Sequence, residues 1–386
     1  MSSASQERLR RASAGLLVGT AVGDSIGLPL EGLSRKRVER RLRGRDLQHG
    51  FWFGWGVTSD DTDHSVFVAQ GLLAAGDDPG QLARALANKL RLWILSCPPG
   101  IGFATLRSGL KLLIGFPPSY SGVWSAGNGS AMRAAPIGVV AEGDQGRVFR
   151  LADAITTLTH TDPKARTGSR AMAWVASRIV ESARHGESGP DPREVLRELK
   201  FMPPDAGSPA LAKSADPTSM ETKSAGAREA GAVEARDDWI LLVDAMGEAL
   251  KMEEDVPSFA ARIGLERGVS GYVYHSVPVA LYGWMRHPRN YREAIREVIM
   301  CGGDTDTTAA MTGALVGAQV GVEGIPQEWV SGVIDWPRRV SWLCELGNRL
   351  ADRDGGTLYY PWFLIPLRHA VVTMGVLIHV AWRLIR

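Results

Sequence analysis

The 386-residue chain carries 44 Lys and Arg against 42 Asp and Glu, and 45% of its residues are hydrophobic. That is enough apolar sequence for a large buried core, as one big domain or two ordinary ones, and too little charge imbalance for a generally basic nucleic-acid binder or an acidic tail. Three cysteines, Cys97, Cys301 and Cys344, have neither metal-ligand nor redox spacing, which predicts free thiols in a reducing, cytoplasmic setting.

In chain order, MSSASQERLRRASAG is polar and basic with no hydrophobic segment of signal type, so secretion is not expected. GLLVGTAVGDSIG then places Gly15, Gly19, Gly23 and Gly27 four apart, which predicts a helix with one bare face. The spacing also suits a membrane dimer, but the stretch is short and flanked by charge, so a buried core helix is expected. RKRVERRLRGR, residues 35 to 45, reads as a solvated helix face or as an attractor of phosphate.

FWFGWGVT and GYVYHSV alone have the aromatic and β-branched content of strands. QLARALANKLRLWIL, RAMAWVASRIVESA, WILLVDAMGEALKM, PVALYGWMR and YREAIREVIM all have helical apolar periods, so the chain reads as all-α with many helices. Residues 203 to 236, rich in Ala, Ser, Pro and charge, read as a disordered insertion. TTAAMTGALVGAQVG repeats the bare face with Gly313, Gly317 and Gly321, and two such helices can pack unusually close. From Leu358 the tail is apolar with Trp and Tyr in front and Arg383 and Arg386 behind. Its longest uncharged run falls short of the roughly 20 residues of a span, leaving an interfacial membrane anchor or a helix docked on the core or on a second subunit.

Two short stretches crowd oxygen donors. SDDTDHS supplies Ser59, Asp60, Asp61 and Asp63, and CGGDTDTTAA supplies Asp304, Asp306, Thr307 and Thr308. Carboxylates this close raise one another's pKa unless water or a cation intervenes. Either stretch alone reads as a capped helix start. Brought together, they offer four or five carboxylates and the hydroxyls of Ser59 and Thr307, an oxygen-only set that selects Mg²⁺, Mn²⁺ or Ca²⁺ and has room for a pair of ions. Neither has the offsets of an EF-hand. Asp304 to Thr308 also fit the D-x-D-x-T pattern of haloacid-dehalogenase-like phosphatases, but that α/β fold carries the motif near its start, with acidic and Lys motifs downstream that do not follow here.

GLLVGTAVGDSIGLPLEG, SDDTD, GNGSAMRAAPIG, THTDPKA, SGYVYHSV and CGGDTDTTAAMTGALVGA, in that order, resemble the ADP-ribosylglycohydrolase family from about residue 13 to about residue 350. The resemblance implies a single-domain, orthogonal multi-helix bundle over residues 10 to 352, with the tail from residue 353 left uncovered. It implies two divalent cations, Mg²⁺ or Mn²⁺, on Ser59, Asp60, Asp61, Asp304, Asp306 and Thr307, and it matches Glu31 to the glutamate that activates the attacking water. It further sets Ser125, Gly127, Asn128, Gly129 and Ser130 against the substrate diphosphate, His160 near the ADP-ribose and Tyr272 on the adenine side. Tyr120 and Trp124 are candidates for the pocket wall, with core packing the plainer reading of both. The implied reaction is hydrolysis of an ADP-ribosyl linkage to a protein side chain or small conjugate, with one carboxylate and metal-bound water in place of a two-carboxylate scheme. The alternative is a metal-dependent ADP-ribose-binding or structural protein without turnover.

Overall fold

The computed structural model describes residues 2–50, 54–202, 219–354, 356–359 and 361–385. Its principal helices are Ser3–Gly27 (α1), Arg35–Leu42 (α2), Asp60–Ala75 (α3), Pro79–Leu95 (α4), Phe103–Leu113 (α5) and Pro163–His185 (α6). They continue with Ser219–Lys251 (α7), Val273–Arg286 (α8), Tyr291–Met300 (α9), Thr305–Val320 (α10), Val340–Asp352 (α11) and Ile365–Ile385 (α12). Start signals match sequence: Asp78 and Asp162 accept hydrogen bonds from the first-turn amides of α4 and α6, and Pro79 and Pro163 follow them where no amide is needed.

The centre of the molecule is the antiparallel pair α1 and α10. Both are buried over most of their length. Gly15, Gly19, Gly23 and Gly27 lie directly on the backbone carbonyls of Gly317, Gly313, Ala309 and Thr305, so closely that a methyl group at any of the four would overlap an oxygen. The two four-residue glycine repeats are therefore one contact seen from both sides. Tyr291 at the start of α9 donates to the Gly19 carbonyl at 2.6 Å, and Gly347 of α11 packs on the Ala14 backbone from the other side.

This pairing decides where the site is. Because α1 and α10 run antiparallel, the end of α1 and the chain leading to Glu31 meet the start of α10 and the chain carrying Asp304. A two-residue antiparallel ladder joins them, Leu33–Ser34 (β1) on Gly302–Gly303 (β2). Gly302 and Gly303 have φ of 72° and 83°, backbone that side chains disfavour, which explains the double glycine before Asp304. Asp24, in the last turn of α1, accepts from the Ser59 amide at 2.9 and 3.0 Å and from the Thr62 amide and hydroxyl at 3.2 and 2.5 Å. That brings the first turn of α3 to the same end of the bundle.

Two local expectations differ from the structure, those for GYVYHSV and for part of the 203–236 segment. GYVYHSV is not a strand: Tyr272 caps α8, and Val273, Tyr274 and Val277 are buried at helical spacing, tertiary burial overriding β-propensity. In FWFGWGVT, residues 51–53 lie outside the described residues, and Gly56 makes an isolated bridge to Val333. Of the segment read as a disordered insertion, residues 203–218 lie outside the described residues, whereas residues 219–236 form the first half of α7. Their Ala, Glu, Lys and Arg favour helix and run on, in register, into the buried face of Trp239, Val243 and Met246. In the basic stretch, α2 buries Val38 alone, so the solvated face holds. The tail is docked: Ile365, Arg368 and His369 of α12 are buried. Among the described residues, one segment is long and apolar enough to cross a membrane, Ser3–Leu30, and its apolar 18-residue stretch is 94% buried inside the protein.

Candidate active site

A cavity of about 600 Å³ opens at the end of the bundle where α1, α3 and α10 converge. Its lining includes Glu31, Ser59, Asp60, Asp304, Asp306 and Thr307 on one side, and Ser125, Gly127, Asn128, Gly129 and His160 on another. The two carboxylate stretches, far apart in sequence, meet here. Asp61 Oδ2 accepts from the Thr307 hydroxyl at 3.2 Å and from the Ser59 hydroxyl at 3.1 Å, and the other oxygen of Asp61 is buried with no hydrogen-bond donor.

Among the described residues, no basic side chain neutralises Asp60, Asp61 or Asp306. Burial first, then the charges of Asp24, Asp63 and Glu31, push Asp60 well above the ordinary carboxylate range, although one side of it stays open to the cavity. Asp61 is pushed up by burial and by Asp60, Asp24 and Asp304, and Asp306 by burial and by Glu31, Asp304 and Asp61. Burial also raises Asp24 to about 6. Such a cluster is stable either protonated or with a cation among its oxygens. Among the described residues no group of three Asp, Glu, His or Cys side chains is arranged to hold a metal by itself. The fit of a cation rests on the mixed set of carboxylates and hydroxyls and on the unfilled oxygen of Asp61.

Asp63 belongs elsewhere. It points away from the cluster to Arg338 and Arg368, and accepts from the Trp93 indole at 2.7 Å. Burial favours its neutral form, but the two guanidinium groups and His369 outweigh that and hold it well below the usual range.

The glycine loop runs beside these carboxylates. The Asn128 amide nitrogen donates to the Gly271 carbonyl at 2.9 Å, and its side chain donates to Asp304 Oδ2 at 2.7 Å. Gly127 and Gly129 pass over the ring of His160, where an added Cβ would lie 3.2 Å from Nε2 and 3.1 Å from Cε1. His160 is buried and neutral, pushed down to about 3 by burial and then by Arg133. The Thr159 hydroxyl accepts from Arg133 at 2.6 Å and lies 2.8 Å from His160 Nδ1. Donation of that hydroxyl proton to Nδ1 leaves Nε2 as an N–H donor on the loop side.

Other residues singled out in the sequence sit away from the cavity lining. Ser130 is buried against the Ser169 hydroxyl at 2.8 Å and faces the core. Tyr272 pairs with Gly127 through the backbone while its ring lies edge-on to His275. Tyr120 and Trp124 are 48% and 60% exposed, neither pocket wall nor core: Tyr120 lies within the short helical turn Pro118–Ser121 at the surface, and Trp124 follows it. Asp24, Thr159, Gly302, Gly303 and three residues of α12 were not singled out. Asp24 was visible as a lone acid inside the apolar run GLLVGTAVGDSIG, a buried charge that must find partners.

A family model described as ADP-ribosylglycohydrolase matches residues 5–357. The chain is 28% identical to a chicken (Gallus gallus) "ADP-ribosylhydrolase ARH3", covering 82% of this chain and 87% of the relative. It is 25% identical to "ADP-ribosylarginine hydrolase Tri1" of Serratia proteamaculans, over 86% and 77% of the two chains. It is 24% identical to "ADP-ribosyl-[dinitrogen reductase] glycohydrolase" of Rhodospirillum rubrum, over 82% and 88%. A solved structure titled "ADP-ribosylglycohydrolase-related protein complex" superposes with a TM-score of 0.56 at 22% identity, over 90% of this chain and 99% of that one, and supports the fold.

Proposed function

The chain belongs to the ADP-ribosylglycohydrolase family, and from that premise we propose that it hydrolyses an ADP-ribosyl linkage to a protein side chain or a small conjugate, with divalent cations at the carboxylate cluster. The observation that carries the reading is the meeting of the two donor stretches through Thr307 and Asp61, with one buried Asp61 oxygen unfilled. A cavity of about 600 Å³ is of a size that takes a nucleotide-like ligand.

Ser59, Asp60, Asp61, Asp304, Asp306 and Thr307 would hold Mg²⁺ or Mn²⁺. Cations there would supply charge stabilisation and lower the pKa of a bound water. Glu31, at the cavity edge and within electrostatic reach of Asp60 and Asp306, is the group to accept the proton of the attacking water. The amides of the Gly127 to Gly129 loop and Nε2–H of His160 are donors for phosphate or ribose oxygens. The Asn128 side chain holds the loop to Asp304, so ligand position and the carboxylate cluster are coupled.

The test is release of ADP-ribose from arginine-linked and serine-linked conjugates in Mg²⁺, Mn²⁺ and EDTA, for the native protein and for Glu31→Gln and Asp304→Asn. Turnover that needs metal and is lost in both variants is expected. ADP-ribose binding without turnover would leave a binding protein, and turnover unaffected by EDTA would remove the cations from the mechanism.

A further inference from the structure

Helix α12 begins beyond the matched residues 5–357, yet its first two turns line the cavity through Arg368, His369 and Val372. They face Trp93 and the Pro98 to Phe103 segment. The contacts that hold them are polar and buried. Arg368 donates to Asp335 at 2.7 Å and to the Thr58 carbonyl and hydroxyl at 2.9 and 3.0 Å, and forms an ion pair with Asp63 at 3.5 Å. His369 Nδ1 lies 2.8 Å from the Ser96 hydroxyl, and its Nε2 lies 3.4 Å from Asp63.

These partners have a location in common. Thr58 directly precedes Ser59, and Asp63 is in the same first turn of α3 as Asp60 and Asp61, so the tail grips the segment that presents the carboxylates. Val372 is different: its side chain has no polar group to join these bonds, and it contributes an apolar surface to the wall. The outward face of the same helix, Leu367, Val371, Met374 and Ile378, is exposed.

We propose that residues 365–372 form a wall of the substrate pocket, in which Val372 sets the width and Arg368 and His369 act as positioning residues that hold the Thr58 to Asp63 turn. The proposal rests on the hydrolase reading above and assigns the tail to the site instead of to an anchor. A side chain enlarged at Val372 fills space that the substrate uses, so it acts on binding. A weaker grip by Arg368 shifts the carboxylates, so it acts on turnover.

Val372→Trp is expected to raise KM for ADP-ribosyl conjugates, and to weaken calorimetric binding of free ADP-ribose, by about tenfold or more with kcat little changed. Arg368→Lys, which keeps the charge and loses the fork, is expected to lower kcat by about tenfold with KM little changed. Met374→Ser, on the exposed face beyond the wall, is the control for helix stability and leaves both constants alone. Circular dichroism and thermal melting of each variant confirm folding. Native KM and native ADP-ribose affinity in Val372→Trp would overturn the wall. An Arg368→Lys protein with native kcat would overturn the positioning role. A native protein that neither turns over conjugates nor binds ADP-ribose would overturn the hydrolase reading first, and this inference with it. Binding without turnover would overturn the positioning role together with the hydrolase reading, and calorimetry of Val372→Trp would still uphold or overturn the wall.

Discussion

Asp60 and Asp61 differ from Asp63 in fate though they share one helical turn. The first two face other carboxylates, Asp60 at the cavity edge and Asp61 buried behind it, and burial with mutual repulsion drives them toward the neutral form. Asp63 turns to Arg338 and Arg368 and stays ionised. The pair of environments teaches that an acidic stretch is not one feature. The members without a basic partner create a demand for a cation, and the member with two basic partners is a structural tie.

Breaking the tie should have the largest effect. Asp63→Asn leaves Arg338 and Arg368 short of a buried counter-charge and should cost roughly 3–5 kcal/mol of stability, read as a lower midpoint in urea at unchanged slope. The same change on the cavity side, Asp306→Asn, should leave the metal-free protein as stable or more stable, because it removes repulsion, while turnover falls well beyond the roughly 100-fold seen when an outer-shell partner of a metal is lost. Equal destabilisation by both variants would abolish the distinction.

Metal sharpens the comparison. Mg²⁺ or Mn²⁺ at 100 times its dissociation constant should stabilise the native protein by about 2.7 kcal/mol in thermal melts, and should have little effect on Asp61→Asn. EDTA should reverse the gain, and a gain of the same size in Asp61→Asn would place the bound ion elsewhere.

The smallest effect comes from the opposite wall. His160 is held at about 3 in the folded protein against 6.5 when free, so the unfolded chain binds the extra proton between those values. Stability is therefore full above pH 6.5 and declines as pH falls, by about 1.4 kcal/mol at pH 5.5 from this residue alone. His160→Asn should flatten that part of the pH–stability curve in EDTA. An unchanged slope would mean that His160 is charged in the folded state.

Much of the fold was legible from local pattern. The four-residue glycine repeats in GLLVGTAVGDSIG and TTAAMTGALVGAQVG required two bare helix faces, and each proved to be the other's partner. The helical periods of the segments around Trp93, Trp174 and Trp284 held for the same reason: burial of one helix face is a local rule. GYVYHSV misled because β-branched content is a weak preference that burial at helical spacing overrode.

The donor types and the two stretches that hold them were determined by sequence alone, because a carboxylate or hydroxyl keeps its chemistry in any fold. Which oxygens face which was decided by tertiary structure. The contact of Thr307 with Asp61 joins residues 246 positions apart, and it exists because α1 and α10 pack antiparallel while Asp24 fixes the start of α3. The same long-range geometry sent Ser130 into the core, tied Asn128 to Asp304 and set α12 against the cavity. A side chain's neighbours depend on elements distant in sequence, whose meeting no local period or spacing encodes.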